Sequence, residues 1–160
     1  DPSQLDELVA EATPAGDLPE HAPPPVTANE RAFRVLVRNA CFRIVELAAT
    51  RRWMDLADHD PSTPEQLRGT AQWSAQQWMD AFAPYFDDCG SLDAGPEARG
   101  PALFQVDDRS SDEGRSWRVR QVLNDPEGNH EWAVEVDVDL DASDDVGTAV
   151  IHPIAVVGPA

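Results

Sequence analysis

The apolar positions of this chain follow two different periods, one in each half of the sequence. From Phe33 to Ala48 they recur at helical spacing, and a second run of this kind follows Ser74. These two runs predict amphipathic helices. From Trp132 to Leu140, large apolar residues alternate with small or acidic ones, which predicts a strand with one buried face.

Local capping signals set the expected helix boundaries. The sequence TANE (27–30) has the pattern of a capping box with its threonine as the cap, and the first helix is expected to run on through Leu56. A short second helix is expected to start at residues 63–66 (TPEQ), where proline takes the favoured first helical position. Ser74 predicts the cap of a third helix, which ends at Gly90.

The second half of the chain is expected to form strands, with a turn at residues 141–147 before the last of them. The strand candidates are residues 101–106, 117–123, 132–140 and 149–157. Pairing Leu123 with Trp132 gives a hairpin in which apolar residues oppose each other on one face and arginines oppose acids on the other. The pairs are Val119–Val136, Trp117–Val138, Arg120–Glu135 and Arg118–Asp137.

Helices followed by strands predict an α+β fold, with the N-terminal helices packed on one face of a curved antiparallel sheet of three to four strands. This layout resembles the cystatin-like and NTF2-like folds. We expect residues 27–160 to form a single domain. Residues 1–26 are acidic and rich in proline, so we expect them to be a linker or tether.

Charge restricts the possible partners. The chain has a formal net charge of -18, and its 12 basic residues are all arginines, six of them between Arg31 and Arg52. The overall field repels nucleic acid and anionic membranes, although a local basic surface can still bind them. No run of about 18 apolar residues predicts a membrane span. Because its two cysteines do not form a disulfide scaffold, we expect a cytoplasmic protein with reduced thiols.

The sequence contains few signs of catalysis. Without lysine there is no phosphate-binding loop of the GxxxxGK[ST] type, and the four histidines are not at metal-ligand spacing. We therefore expect no catalytic, cofactor-binding or metal-binding residue, and no enzyme activity. A row of carboxylates on the third strand is compatible with a cation site, but an outer sheet face paired with arginines is the favoured interpretation. The row comprises Glu135, Asp137, Asp139 and Asp141.

Arg31, Arg34 and Arg38 are the candidate contact residues. Their spacing places them on one side of the first helix, where they are able to meet phosphates or an acidic protein surface. The alternatives are that they pair with acids of this chain or lie over the edge of the core. Arg99, in a loop rich in glycine and proline, is a candidate for anion binding or for a structural corner. If a ligand pocket exists between sheet and helices, its expected lining is Trp78, Tyr85, Arg99 and His152.

Over roughly residues 26–157 the chain resembles a C-terminal domain of unknown function that follows the helicase core in actinobacterial superfamily-two DEAD/DEAH-box helicases. The similarity is carried by VTANERAFRVLVRNACFRIVELAA (26–49), WSAQQWMDAFAPYFDDCG (73–90), ARGPALFQV (98–106) and WRVRQVLNDPEGNHEW (117–132).

The resemblance implies an ATP-driven RNA or DNA helicase motor upstream in the same chain. ATP and Mg²⁺ would then bind the motor core alone. This chain would be a non-catalytic accessory domain that docks on the core or guides RNA or DNA, with residues 1–26 as its tether. Two alternatives stay open: a ligand-binding or enzymatic NTF2-like domain, and a structural protein–protein interaction module.

Overall fold

The computed structural model describes residues 24–58 and 73–159, and within them the chain forms four α-helices and four strands. The helices are α1 (Glu30–Ala49), α2 (Trp53–Asp58), α3 (Ala75–Cys89) and α4 (Leu140–Val146). The strands are β1 (Phe104–Asp108), β2 (Ser116–Val122), β3 (Ala133–Asp139) and β4 (Ile151–Val157). They form one antiparallel sheet in the order β1-β2-β3-β4. The predicted α+β class and antiparallel sheet are confirmed. The expected helix at Thr63–Gln66 and nearly all of the expected linker lie outside the described residues.

The predicted β2–β3 hairpin has the expected register. The backbone N–H of Leu123 donates to the carbonyl of Trp132 at 2.8 Å. All the other predicted pairs are also present: Trp117–Val138, Arg118–Asp137, Val119–Val136 and Arg120–Glu135. Apolar pairing on one face and charge pairing on the other therefore specify the same alignment.

The helices pack on the apolar face of this sheet. Phe33 of α1 meets Trp117 of β2 edge to face, with ring centroids 5.3 Å apart. Val134, Val136 and Val138 of β3 are buried in the same cluster, which also contains residues of α1, α3 and β4. Burial of each large apolar side chain contributes roughly 1.5–3 kcal/mol, so this cluster fixes how the helices lie on the sheet.

The expectation that the first helix runs through Leu56 is wrong, because α1 ends at Ala49. The N–H of Arg51 donates to the carbonyl of Ala48, and that of Arg52 donates to Leu47. This is the Schellman arrangement. Arg51 takes the left-handed conformation, with φ of 55°. Glycine usually occupies that position, so the sequence contains no obvious stop signal.

The predicted cap Thr27 is also incorrect. The side-chain oxygen of Asn29 accepts from the N–H of Ala32 at 3.1 Å, which makes Asn29 the N-cap of α1. Thr27 instead donates its backbone N–H and its hydroxyl to Asp144, each at 2.9 Å. A carboxylate distant in sequence thus replaces the expected local partner of the threonine.

The acidic stretch expected to be a turn at residues 141–147 is the helix α4, and β4 begins only at Ile151. Asp139 caps this helix by accepting from the N–H of Ala142 at 2.9 Å. Gly147 ends it with φ of 89°. These residues are the cap types that begin and end helices, so the helix signal was present although the segment is short.

The remaining boundaries differ less from expectation. Residues 101–103 form a 3-10 turn, so β1 starts at Phe104 rather than at residue 101. The Ser74 capping box and the end of α3 at Gly90 are confirmed.

Candidate functional site

The outer side of α1 carries the three predicted contact residues, each about one helical turn from the next. Arg31 and Arg34 are exposed, and Arg38 is half-buried. The guanidinium of Arg34 lies over the ring of Phe104 in β1, 5.3 Å from its centroid. This contact holds the stem of Arg34 against the sheet while its charged group stays at the surface.

Arg99 lies on the same side of the molecule, because α1 holds it there. A guanidinium N–H of Arg38 donates to the backbone carbonyl of Arg99. The guanidinium of Arg99 lies 4.7 Å above the ring centroid of Phe42 and donates to the amide oxygen of Asn39 at 2.9 Å. We call the four residues Arg31, Arg34, Arg38 and Arg99 the basic surface.

The four arginines of the basic surface differ from most of the other described arginines because they lack acidic partners. Within residues 24–58 and 73–159, no carboxylate lies at ion-pairing distance from these four guanidinium groups, whereas six other arginines each pair with at least one. The paired arginines are Arg43, Arg52, Arg109, Arg115, Arg118 and Arg120. The four guanidinium groups of the basic surface therefore form no direct salt bridge within the described part of this acidic chain, although Glu30 and Asp108 line the same groove as Arg31 and Arg34.

One apolar side chain, that of Val35, is exposed beside the basic surface. Val35 is 48% exposed, whereas Leu36, which is 39% exposed, lies on the opposite flank of α1 from Arg34 and Arg38. Val35 follows Arg31 by four residues, so the two are neighbours on the helix. Exposed apolar groups among cations are typical of protein interfaces. A groove of about 400 Å³ also opens between α1 and the sheet, lined by Glu30, Arg31, Arg34, Val106, Asp108 and Trp117.

The aromatic rings under the basic surface are buried. Phe42 and Phe104 lie beneath the guanidinium groups of Arg99 and Arg34, and Trp117 packs against α1. Nucleic-acid bases stack on aromatic faces that are accessible from solvent. These three rings therefore provide no such platform.

Trp78 and Tyr85, two of the proposed pocket residues, are fully buried in the core. Trp78 meets Trp73 edge to face at 4.8 Å, and its ring N–H has no hydrogen-bond acceptor among residues 24–58 and 73–159. The hydroxyl of Tyr85 donates to the carbonyl of Ser91 at 2.6 Å. Burial raises the pKa of Tyr85, which keeps the hydroxyl protonated.

His152, the last proposed pocket residue, lies on β4 opposite Asp137. It lines an open cavity of about 560 Å³ whose other lining groups include Arg115 and several carboxylates. Arg99, as described above, belongs to the basic surface. The four proposed pocket residues thus lie in three separate places: Trp78 and Tyr85 in the core, Arg99 on the basic surface, and His152 at the open cavity beside β4.

The carboxylates of β3 are engaged in structural contacts, and the predicted pairing of this face with arginines is confirmed. Asp137 accepts from Arg118 at 2.5 Å, and Glu135 accepts from Arg120 at 3.3 Å. Asp139 caps α4. No group of three or more potential metal ligands is arranged to hold an ion in the described part of the chain.

Arg115 forms a second cluster that sequence reasoning did not identify. It donates to Asp141 at 2.7 Å, to Asp144 at 2.5 Å and to the hydroxyl of Thr27 at 3.3 Å. The hydrogen bonds to Asp144 and Asp141 raise the pKa of Arg115, and the backbone N–H of Arg115 is the main cause of a lowered pKa at Asp141. The cluster fixes Thr27, just before α1 begins. Its members are too far apart in sequence for any local pattern to group them.

Among the described residues, no helix has the length and apolarity needed to cross a membrane. A family model described as a domain of unknown function (DUF3516) matches residues 1–156. The match thus includes the acidic N-terminal residues as well as the α+β domain. Neither the curated proteins nor the solved structures contained a match to this chain.

Proposed function

We propose that this chain, which belongs to the DUF3516 family of domains of unknown function, is a non-catalytic accessory domain that docks on the core of a DEAD/DEAH-box helicase through its basic surface. The observation that carries the proposal is a set of four arginines without carboxylate partners in the described part of a chain of net charge -18. The helicase context comes from the sequence resemblance.

An acidic protein surface suits the basic surface better than nucleic acid does. Val35 is exposed between Arg31 and Arg38, and a partner with apolar side chains gains free energy by burying it. Arg34 and Arg99 are already ordered by the rings beneath them, so less conformational entropy is lost when they bind. The net negative charge of the chain disfavours a polyanion as long as RNA.

In this arrangement ATP and Mg²⁺ bind the motor core, and this chain positions the core or its substrate. The alternative of a small-ligand pocket has less support, because Trp78, Tyr85, Arg99 and His152 do not line one cavity. A structural interaction module would use the same basic surface on a different protein.

The test is binding of the full 160-residue chain to the helicase core encoded upstream of it. The loss of an interface arginine that contributes about 1 kcal/mol weakens binding about fivefold, so replacing Arg31, Arg34 and Arg38 together by alanine should weaken binding by roughly 100-fold. The matched control replaces Arg43, Arg52 and Arg109, which removes the same charge from arginines paired with this chain's own acids. The control should bind within about threefold of wild type. Equal losses in both variants, or no binding by wild type, would refute docking through this surface.

The same variants also test whether the basic surface binds nucleic acid instead of protein. Anisotropy of a labelled single-stranded RNA would be measured between about 50 and 300 mM salt, a range over which phosphate contacts weaken strongly. If the three arginines contact phosphates, their removal lowers the slope of log K against log salt by about 2. If this smaller slope is observed and the chain does not bind the motor core, the partner of the basic surface is RNA and not a protein.

A further inference from the structure

We propose that the acidic segment Ser3–Ala12 binds the basic surface of its own molecule. The inference rests on the same surface as the proposed function, but it concerns a different occupant. The segment has the sequence SQLDELVAEA, in which Ser3 and Asp6 have capping-box spacing. Leu5, Leu8 and Val9 follow at helical spacing. This pattern predicts a short amphipathic helix with an acidic side.

The charges of the segment and of the surface are complementary. Residues 1–23 contain six acids and no arginine, and three of those acids, Asp6, Glu7 and Glu11, lie within the segment. The four guanidinium groups of the basic surface have no carboxylate partner in the part of the chain that the structure describes. Joining the two would neutralise a concentrated positive charge inside an otherwise negative molecule.

The apolar groups are complementary as well. Val35 is exposed on α1 between Arg31 and Arg38, four residues after the first and three before the second. Leu5, Leu8 and Val9 form an apolar stripe on the segment. A docked helix would bury this stripe together with Val35.

The chain connection permits this contact. Thr27 is fixed by Asp144 and Arg115, and Arg31 follows four residues later. Residues 13–26 separate the segment from Thr27 and span up to about 45 Å when extended. A tether of this length gives an effective concentration of order millimolar, so even a weak contact is populated.

A single family model covers both the segment and the basic surface, since it matches residues 1–156. This is expected if the two are parts of one folded unit. The docked segment would then compete with the motor core for the basic surface, and binding of the core would require its release.

Paramagnetic relaxation in the full-length chain tests the contact directly. A nitroxide is attached at Thr13→Cys in a Cys89→Ser background; Cys41 is buried and would not be labelled. We expect the amide signals of Arg31, Arg34 and Val35 to lose more than about half their intensity, because they would lie within reach of the label in the docked state. The loss should disappear in 1 M salt, a concentration at which the screening length is only about 3 Å.

The arginine variants provide the control. Replacing Arg31, Arg34 and Arg38 by alanine should abolish the broadening along the rest of α1, whereas replacing Arg43, Arg52 and Arg109 should leave it. Broadening that is absent in wild type, or unchanged by the first variant, would overturn the inference.

A binding measurement separates this inference from the proposed function. Neutralising the segment with Asp6→Asn, Glu7→Gln and Glu11→Gln should tighten binding to the motor core by about tenfold if the segment occupies the surface about nine-tenths of the time. The matched control is the variant Asp1→Asn, Asp17→Asn and Glu20→Gln. It removes the same charge outside the segment and should not tighten binding to the motor core. If the core binds wild type and both variants equally, the segment does not occupy the surface, although docking itself stands.

Discussion

The backbone of Gly158 lies against the indole ring of Trp132, where a Cβ atom would come within 2.7 Å of three ring atoms. The indole is also held from other directions. Its N–H donates to Asp88 at 2.9 Å, and Tyr85 meets it edge to face at 5.9 Å. The contact therefore attaches the end of β4 to α3, and it requires a residue without a side chain.

Replacing Gly158 by alanine should force Trp132 out of this position and destabilise the fold by about 1–3 kcal/mol. Urea unfolding followed by tryptophan fluorescence measures the loss. In a Trp132→Leu background the same substitution should cost less than about 0.5 kcal/mol, because the clashing ring is gone. An equal cost in both backgrounds would show that the ring contact is not the cause.

Arg51 combines backbone strain with favourable contacts, and two substitutions separate them. Its guanidinium lies 4.0 Å from the ring centroid of Phe86 and donates to the carbonyl of Gly90 at 3.2 Å. Arg51→Ala loses these contacts and keeps the left-handed backbone. Arg51→Gly loses them but also removes the strain, so it should be more stable than the alanine variant by about 1 kcal/mol. Chemical denaturation measures the free energy of unfolding of the two variants. An alanine variant as stable as the glycine variant would contradict backbone strain at Arg51.

The Arg115 cluster should stabilise the protein in a pH-dependent way. The pKa of Asp141 is lowered chiefly by the N–H of Arg115. At Asp144 burial raises the pKa, but hydrogen bonds from Thr27 and Arg115 outweigh it, and the net shift is also downward. A lowered pKa in the folded state stabilises above the unfolded value, about 3.9, and the stabilisation is lost as pH falls through the folded value.

Arg115→Gln keeps the backbone N–H that donates to Asp141 but loses the guanidinium bonds to Asp141 and Asp144. It should therefore lower the melting temperature at pH 7 by the side-chain part of the effect alone, and its difference from wild type should shrink at about pH 3, where both carboxylates are protonated in the unfolded chain. Arg109→Gln is the matched control, since its partner Asp107 is only two residues away. It should change stability little at either pH. A deficit of Arg115→Gln that stays constant with pH would argue against the carboxylates as its source.

The two thiols should react slowly with disulfide reagents. Burial raises the pKa of Cys41 to about 12. Burial and the nearby Asp88 raise that of Cys89 to about 11. At pH 8 about one Cys89 thiol in a thousand is then a thiolate, the form that reacts. The rate at Cys89 should rise about tenfold per pH unit. Asp88→Asn should accelerate it, and a rate equal to that of an ordinary thiol at pH 8 would be inconsistent with the shift. Cys41 should react only after unfolding in urea.

The sequence predicted the hairpin well because two independent patterns agree there. The valines of β3 and the arginine–acid pairs require the same register, as in Val119–Val136 and Arg120–Glu135. Where helix ends depend on an unusual residue, prediction failed. Arg51 stands where glycine is usual, so the end of α1 at Ala49 was missed.

The candidate site was predicted only as far as local spacing reaches. Helical geometry placed Arg31, Arg34 and Arg38 together. Arg99 reaches the same surface through a hydrogen bond from Arg38, 61 positions away in sequence. No local pattern encodes such a contact, since it depends on how the loop before β1 packs on Phe42.

The order of the sheet leaves β4 as an edge strand among the described residues, and its sequence IHPIAVV has no charged side chain. Ile154 on it is 39% exposed. Such an edge is a template on which another copy of the chain can add a strand, and many proteins discourage this with a lysine at that place. Here the large negative charge of the whole molecule provides colloidal repulsion instead, holding copies apart before their edges meet. The abundance of aspartate and glutamate thus adds to the local protection that Pro153 and the register shift at Ile154 give this strand.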